Sequence, residues 1–279
     1  MSYKTVLVHV DTDARSSVRV ELAAQLAARN DAHLIGLHAF APLRAPPYVR
    51  VEMGEELARL ESRAAERLAA DLALQFHDAA RRAGIAAPEW RTSRRDAAEA
   101  FSLHARYADL VVLGQYSPDE EAGSVDADFP EIVALQSGRP VLLVPYAGVF
   151  DTVGQRILIA WNASREATRA ITDALPLLRR AASVVVLAVN APQGAADDGW
   201  APGADCALFL ARHGVVVEAS SDPAVDIDVG NYLLSRASDL GADLIVMGAY
   251  GHHRLRELVL GGVTRTIVRH MTVPVLLAH

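Results

Sequence analysis

Ala108-Asp109-Leu110-Val111-Val112-Leu113-Gly114 returns 134 residues later as Ala242-Asp243-Leu244-Ile245-Val246-Met247-Gly248. Pro140-Val141-Leu142-Leu143-Val144 returns at the same offset as Pro274-Val275-Leu276-Leu277-Ala278. Two blocks in one register mark a duplication. Upstream the offset widens to 151, where Val6-Leu7-Val8-His9-Val10-Asp11 corresponds to Ile157-Leu158-Ile159-Ala160-Trp161-Asn162. The second copy therefore lacks about 17 residues between these blocks. The 279-residue chain reads as two units of about 140 residues joined near Pro145 to Gln155.

In each copy short apolar runs alternate with amphipathic stretches, the pattern of βαβ units around a parallel sheet. Strands are predicted near 4–10, 33–40, 87–93, 109–114 and 140–144, and again near 156–161, 183–189, 214–219, 243–248 and 273–278. Val18, Leu22 and Leu26 give residues 14–30 a helical stripe. Leu57, Leu60, Ala64, Leu68 and Leu72 do the same for 52–83, with Gly84 as the stop. The second copy has helices near 164–180, 203–213, 229–240 and 262–270. Its missing residues fall around 191–205, where Pro192, Gly194, Gly199, Pro202 and Gly203 replace most of the long second helix by loop.

Composition sets limits on partners. A net charge of −7 gives no general attraction to nucleic acid or to an anionic membrane, so any polyanion must be held locally. No apolar run reaches the roughly eighteen residues of a membrane helix, and the N-terminus reads as a first strand, so a cytoplasmic protein is expected. The single cysteine, Cys206, excludes an intramolecular disulfide and reads as a small buried apolar residue.

Gly248-Ala249-Tyr250-Gly251 follows the fourth strand of the second copy, and Gly261-Gly262-Val263-Thr264 opens the next helical run. Every glycine thus lies at the carboxyl edge of a parallel sheet, where open α/β folds bind ligands. Glycines let the backbone approach an anion, and a helix N-terminus supplies unpaired N–H groups. The same glycines would also serve a tight turn and a helix start. There is no Walker A sequence and no Gly-x-Ser-x-Gly elbow, and the glycines are not in the first βα turn, so a conventional dehydrogenase or hydrolase is not expected.

Gly-x2-Gly-x9-Gly between strand and helix, followed by Arg269-His270-Met271-Thr272-Val273-Pro274-Val275-Leu276, resembles the ATP-binding class of universal stress proteins. The resemblance implies two tandem open-twisted five-stranded parallel sheets flanked by helices, Rossmann-like and of the adenine-nucleotide alpha-hydrolase type, over 1–147 and 154–279. It implies an adenine nucleotide, ATP, with Mg²⁺ as its companion, held in the second copy by Asn162, Gly248, Gly251, Gly261, Gly262 and Thr264. It also implies that the last strands, which form dimers in single-domain members, join the two copies as an intramolecular pseudo-dimer, with a homodimer of chains as a further form. This sequence departs from the family pattern twice. Gly262 stands where the family has Ser or Thr, leaving Thr264 as the nearby hydroxyl, and Asn162 stands for an aspartate. Asn keeps an acceptor and adds a donor. Ser164, two residues on, suits a helix N-cap.

The first copy keeps Asp11 but carries Ser117, Ala127 and Asp128 where the second has Gly251, Gly261 and Gly262. Asp119, Glu120, Glu121, Asp126 and Asp128 crowd that loop and repel a triphosphate unless a divalent cation bridges them, so a degenerate site is expected there in preference to the alternative, a metal site. His252 and His253 are adjacent and diverge, so no metal site is expected from them. Arg254, Arg256 and Arg265 stand either near phosphate or as solvated helix charges, and Asp222, Asp226 and Asp228 precede a helix whose dipole favours acids. No general base is evident, so turnover is expected to be slow or absent. Two readings follow: a nucleotide-binding stress-response protein, and an interaction scaffold of the same fold that binds no nucleotide. A nucleotide hydrolase would need a catalytic acid or Mg²⁺ ligand that the sequence does not offer.

Overall fold

The computed structural model describes residues 2–40, 47–117, 125–190, 203–249 and 262–279. The first half runs β1 (Thr5–His9), α1 (Ser16–Asn30), β2 (His33–Ala39), α2 (Pro47–Arg82), β3 (Glu89–Ser93), α3 (Ala97–Ala105), β4 (Leu110–Gly114), α4 (Phe129–Gln136) and β5 (Val141–Val144). The second half runs β6 (Arg156–Trp161), α5 (Arg165–Leu178), β7 (Ser183–Val189), α6 (Ala204–Arg212), β8 (Val217–Asp222), α7 (Val229–Asp239), β9 (Leu244–Gly248), α8 (Gly262–His270) and β10 (Val275–Ala278).

The two five-stranded parallel units meet edge to edge in one sheet of order β3-β2-β1-β4-β5-β10-β9-β6-β7-β8. The seam is the antiparallel pair β5–β10, with Leu142 opposite Leu276, Leu143 opposite Val275 and Val141 opposite Leu277. Leu142 thus faces its own repeat counterpart, and the register reads the same from either side. A pseudo-twofold axis passes through that pair. Because the pairing is antiparallel, the carboxyl edge of one half lies beside the amino edge of the other, and the two carboxyl edges face opposite ways.

Strands buried on both faces explain the near-continuous apolar runs. On one face Leu142 and Leu276 join a layer with Val20 of α1, Leu72 of α2, Ile171 of α5 and Leu210 of α6. On the other, Val141, Leu143, Val275 and Leu277 pack with Phe101 of α3, Val133 of α4, Leu233 of α7 and Ile267 of α8. Both layers run through both halves. The repeated Ala-Asp-Leu has a structural cause of its own. Asp109 Oδ2 accepts the backbone N–H groups of Lys4 and Thr5 at 2.7 and 3.0 Å, and Asp243 accepts those of Gly154, Gln155 and Arg156 at 3.1, 3.0 and 2.9 Å. Each aspartate pins the start of the neighbouring first strand.

The third strand of the second half begins at Val217 rather than near 214. Gly214 adopts φ +80°, and Val215 donates its N–H to Leu210 O at 3.1 Å, so these residues finish α6 instead. The first-half helices at 47–82, 97–105 and 129–136 fill the gaps between strands.

Leu142 and Leu276 are fully buried. Leu142→Ala and Leu276→Ala are each expected to cost about 2–5 kcal/mol in urea unfolding. The double variant should cost less than their sum by at least about 0.5 kcal/mol, because both open one cavity. Additive costs, or separate unfolding of the halves, would contradict the seam.

The two carboxyl-edge crevices

Each half offers a switch point where the strand order reverses, between β1 and β4 and between β6 and β9. Among the described residues, the first of these holds a cavity of about 30 Å³ lined by His9, Asp11, Arg19, Gly114, Gln115 and Phe129 with their neighbours. It is the crevice without the glycine motif, and a buried ion pair of the protein itself lines it. Arg19 comes up from α1, 2% exposed, and donates Nε–H to His9 O at 2.8 Å and Nη2–H to Asp11 Oδ1 at 2.6 Å. A Cβ on Gly114 would overlap Arg19 Nη1. The missing side chain at Gly114 therefore makes room for a guanidinium.

The pair is electrically self-contained. Burial opposes the charged form of Asp11, but Arg19 and the N–H of Asp13 hold its carboxyl well below the usual carboxylate range. His9 lies 3.4 Å from Asp11 through Nδ1, and burial, reinforced by Arg19, lowers its pKa to about 4, so it is neutral at pH 7. Its Nε2 has no hydrogen-bond partner among the described residues, and the ring sits against Phe101 and Phe129 at 4.9 and 5.1 Å between centroids.

The second crevice is built differently at the equivalent positions. At the offset of 151, His9, Asp11 and Arg19 become Ala160, Asn162 and Ala170. The aspartate and its arginine are both absent here. Asn162 is exposed. Its Oδ1 accepts the Ser164 N–H at 3.2 Å, Ala163 takes φ +58°, and Ser164 Oγ caps α5 through the Ala167 N–H at 3.1 Å. The N-cap expected of Ser164 is present. With no arginine between them, α5 settles on the end of β9, and a Cβ on Gly248 would overlap the backbone of Glu166 and Ala167.

Gly262 opens α8 at the same edge, with no described atom within 4 Å of where its Cβ would lie. Thr264, two residues on, is 4% exposed. Topology therefore brings Asn162, Gly248, Gly262 and Thr264 to one sheet edge. Gly251, Gly261, His252, His253, Arg254 and Arg256 lie outside the described residues, as do Asp119, Glu120 and Glu121. Asp128 precedes α4, Ser117 lines the first cavity, and Arg265 is exposed on α8. Asp228 caps α7 through the Asn231 N–H, and Asp222 accepts from Tyr232 Oη at 3.1 Å, so both are structural. Among the described residues no group of three or more His, Cys, Asp or Glu could hold a metal ion. Burial pushes the Cys206 thiol up to about 12, which leaves it un-ionised. No described helix is long and apolar enough to cross a membrane.

Sequence reasoning singled out Asp11 only as the aspartate the first copy keeps from the family pattern, and missed Arg19. The signal was there: Arg19 stands in the apolar stripe with Leu22 and Leu26, a place for a charge only if a partner waits inside.

Two tests follow. Arg19→Ala is expected to cost about 3–5 kcal/mol by leaving Asp11 buried without its counter-ion. Adding Asp11→Asn, which recreates the second-half pair, should recover at least about 1 kcal/mol, and a further loss would contradict the pairing. For His9, the unfolded chain binds a proton near pH 6.5 and the folded chain only near about 4. Its contribution is complete above 6.5 and is lost as pH falls through that window, about 3 kcal/mol in all. Urea midpoints should show this slope, and His9→Ala should flatten it. An unchanged slope would exclude His9 as its source.

The sequence model of the universal stress protein family matches residues 2–145 and 223–279, including both Ala-Asp-Leu strands and both Pro-Val-Leu endings. The fold is similar to the crystal structure of a universal stress protein from Archaeoglobus fulgidus DSM 4304, at 15% identity over 98% of this chain and 95% of that one, with a TM-score of 0.71. It is also similar to a functionally unknown protein from Pseudomonas aeruginosa PAO1, at 15% identity over 99% of this chain and 92% of that one, TM-score 0.60. No curated protein matches the chain. At 15% identity the two structures speak for the fold alone, whereas the family match spans well over half of the sequence and reaches into both halves: the chain belongs to the universal stress protein family.

Proposed function

We propose that this is a cytoplasmic stress-response protein of two units, 1–147 and 154–279, that binds one adenine nucleotide, ATP, in the second unit, with Mg²⁺ accompanying the phosphates. The observation that carries this reading is the contrast between the crevices. The first is occupied by Arg19 and its buried partners, and the second has Ala160, Asn162 and Ala170 instead. The phosphates would rest on the backbone of Gly248, Gly251, Gly261 and Gly262, with Thr264 beside them and the positive end of α8 adding about 0.3–1 kcal/mol. With Oδ1 taken by Ser164, Asn162 still has its Nδ2 donors to offer to the adenine or ribose.

Backbone recognition makes glycine more important than charge. Phosphate oxygens must come within about 3 Å of the N–H groups. In calorimetric titration with ATP, Gly261→Val is expected to abolish binding, and Arg254→Ala to weaken it only several-fold, since an exposed charge contributes about 1 kcal/mol at most. Gly262→Ser, for which the structure has space, should bind more tightly than wild type. No heat of binding from wild type, nor from the Gly262→Ser, Asn162→Asp double variant, would end the nucleotide reading. It would leave the scaffold reading, which Asn162 favours by spending its carbonyl on its own chain.

A further inference from the structure

We infer that Gln115, a residue of the first half, is the positioning residue for α8, the helix whose N-terminus belongs to the phosphate site proposed for the second half; the link to phosphate rests on that proposal. Gln115 follows Gly114 at the carboxyl end of β4, and its backbone N–H is fixed to Val144 O at 2.8 Å. Its side chain is 4% exposed and uses its whole amide. Oε1 accepts the Tyr146 N–H at 3.1 Å, while Nε2 donates to Val268 O at 2.9 Å and to Arg269 O at 3.1 Å. The last four carbonyls of any helix lack intrahelical donors. One side chain from the other half serves two of them in α8. The antiparallel seam makes this reach possible, because it sets the carboxyl edge of the first half beside the amino edge of the second, where α8 ends.

The device is one-sided. At the offset of 134 the counterpart of Gln115 is Ala249, which has no amide with which to grip α4. The grip thus falls on the helix of the half that carries the glycine motif. Gln115 also lines the first-half cavity, so α8, a rod of about 13 Å, joins that cavity's wall to the opposite crevice.

Hydrogen–deuterium exchange on the full chain tests this. Gln115→Met keeps the length and loses the donors, and Gln115→Ala serves as the second variant. Both are expected to speed exchange of the α8 amides by about tenfold or more, the loss expected when buried carbonyls lose their partners. The α4 amides should stay at their wild-type rates. Unchanged α8 rates, or equal acceleration in α4 and α8, would overturn the role. In a parallel ATP titration, Gln115→Met should raise the dissociation constant about five- to tenfold if part of that loss reaches the site. A wild type that binds ATP with a Gln115→Met variant of equal affinity would overturn the link to phosphate. A wild type that binds no ATP would sink the proposed function, and the exchange rates would still decide the role of Gln115 in holding α8.

Discussion

Three residue pairs at the β5–β10 seam hold the architecture together. Each half alone would end in a fully apolar edge strand, Val141–Val144 or Val275–Ala278, of the kind that pairs with whatever strand it meets. Pairing the two edges within one chain removes the hazard and turns two small layers into two continuous ones, one on each face of the sheet. It also fixes the relation between the halves. An antiparallel seam sends the two carboxyl edges in opposite directions, so the crevices cannot share one ligand, and any communication between them must cross the sheet.

The duplicated halves have parted in their chemistry while keeping their topology. In the first, a buried Asp11–Arg19 pair with a neutral His9 beside it occupies the switch point, and Gly114 accommodates the guanidinium. In the second, the pair is absent as a unit, and Gly248 lets α5 come down on β9. A buried ion pair is hard to lose one member at a time, because the surviving charge has no solvent and no partner. The same glycine position does two different jobs because the residue one helix turn into the neighbouring helix differs.

Much of the fold was legible because parallel strands buried on both faces leave long apolar runs, and because a repeat shows the same run twice. The third strand of the second half was misplaced by a few residues, since Val215 and Val216 read as strand while Gly214 spends its positive φ on closing α6. The site was harder. Asp11 looks the same whether it faces a ribose or an arginine, and only the packing of α1 on β4 decides between them. Gln115 is one polar residue after a glycine, and the two carbonyls to which it donates lie 153 and 154 residues away. Contacts across a pseudo-twofold seam leave no periodicity in the sequence.

The proposed division of labour gives nucleotide to the second crevice and none to the first, where the buried Asp11–Arg19 pair stands. Native mass measurement of the full chain in ATP and Mg²⁺ tests it most directly, because it counts ligands per molecule. One ATP per chain is expected at saturation. Two per chain, or none at concentrations well above those of a micromolar site, would contradict it.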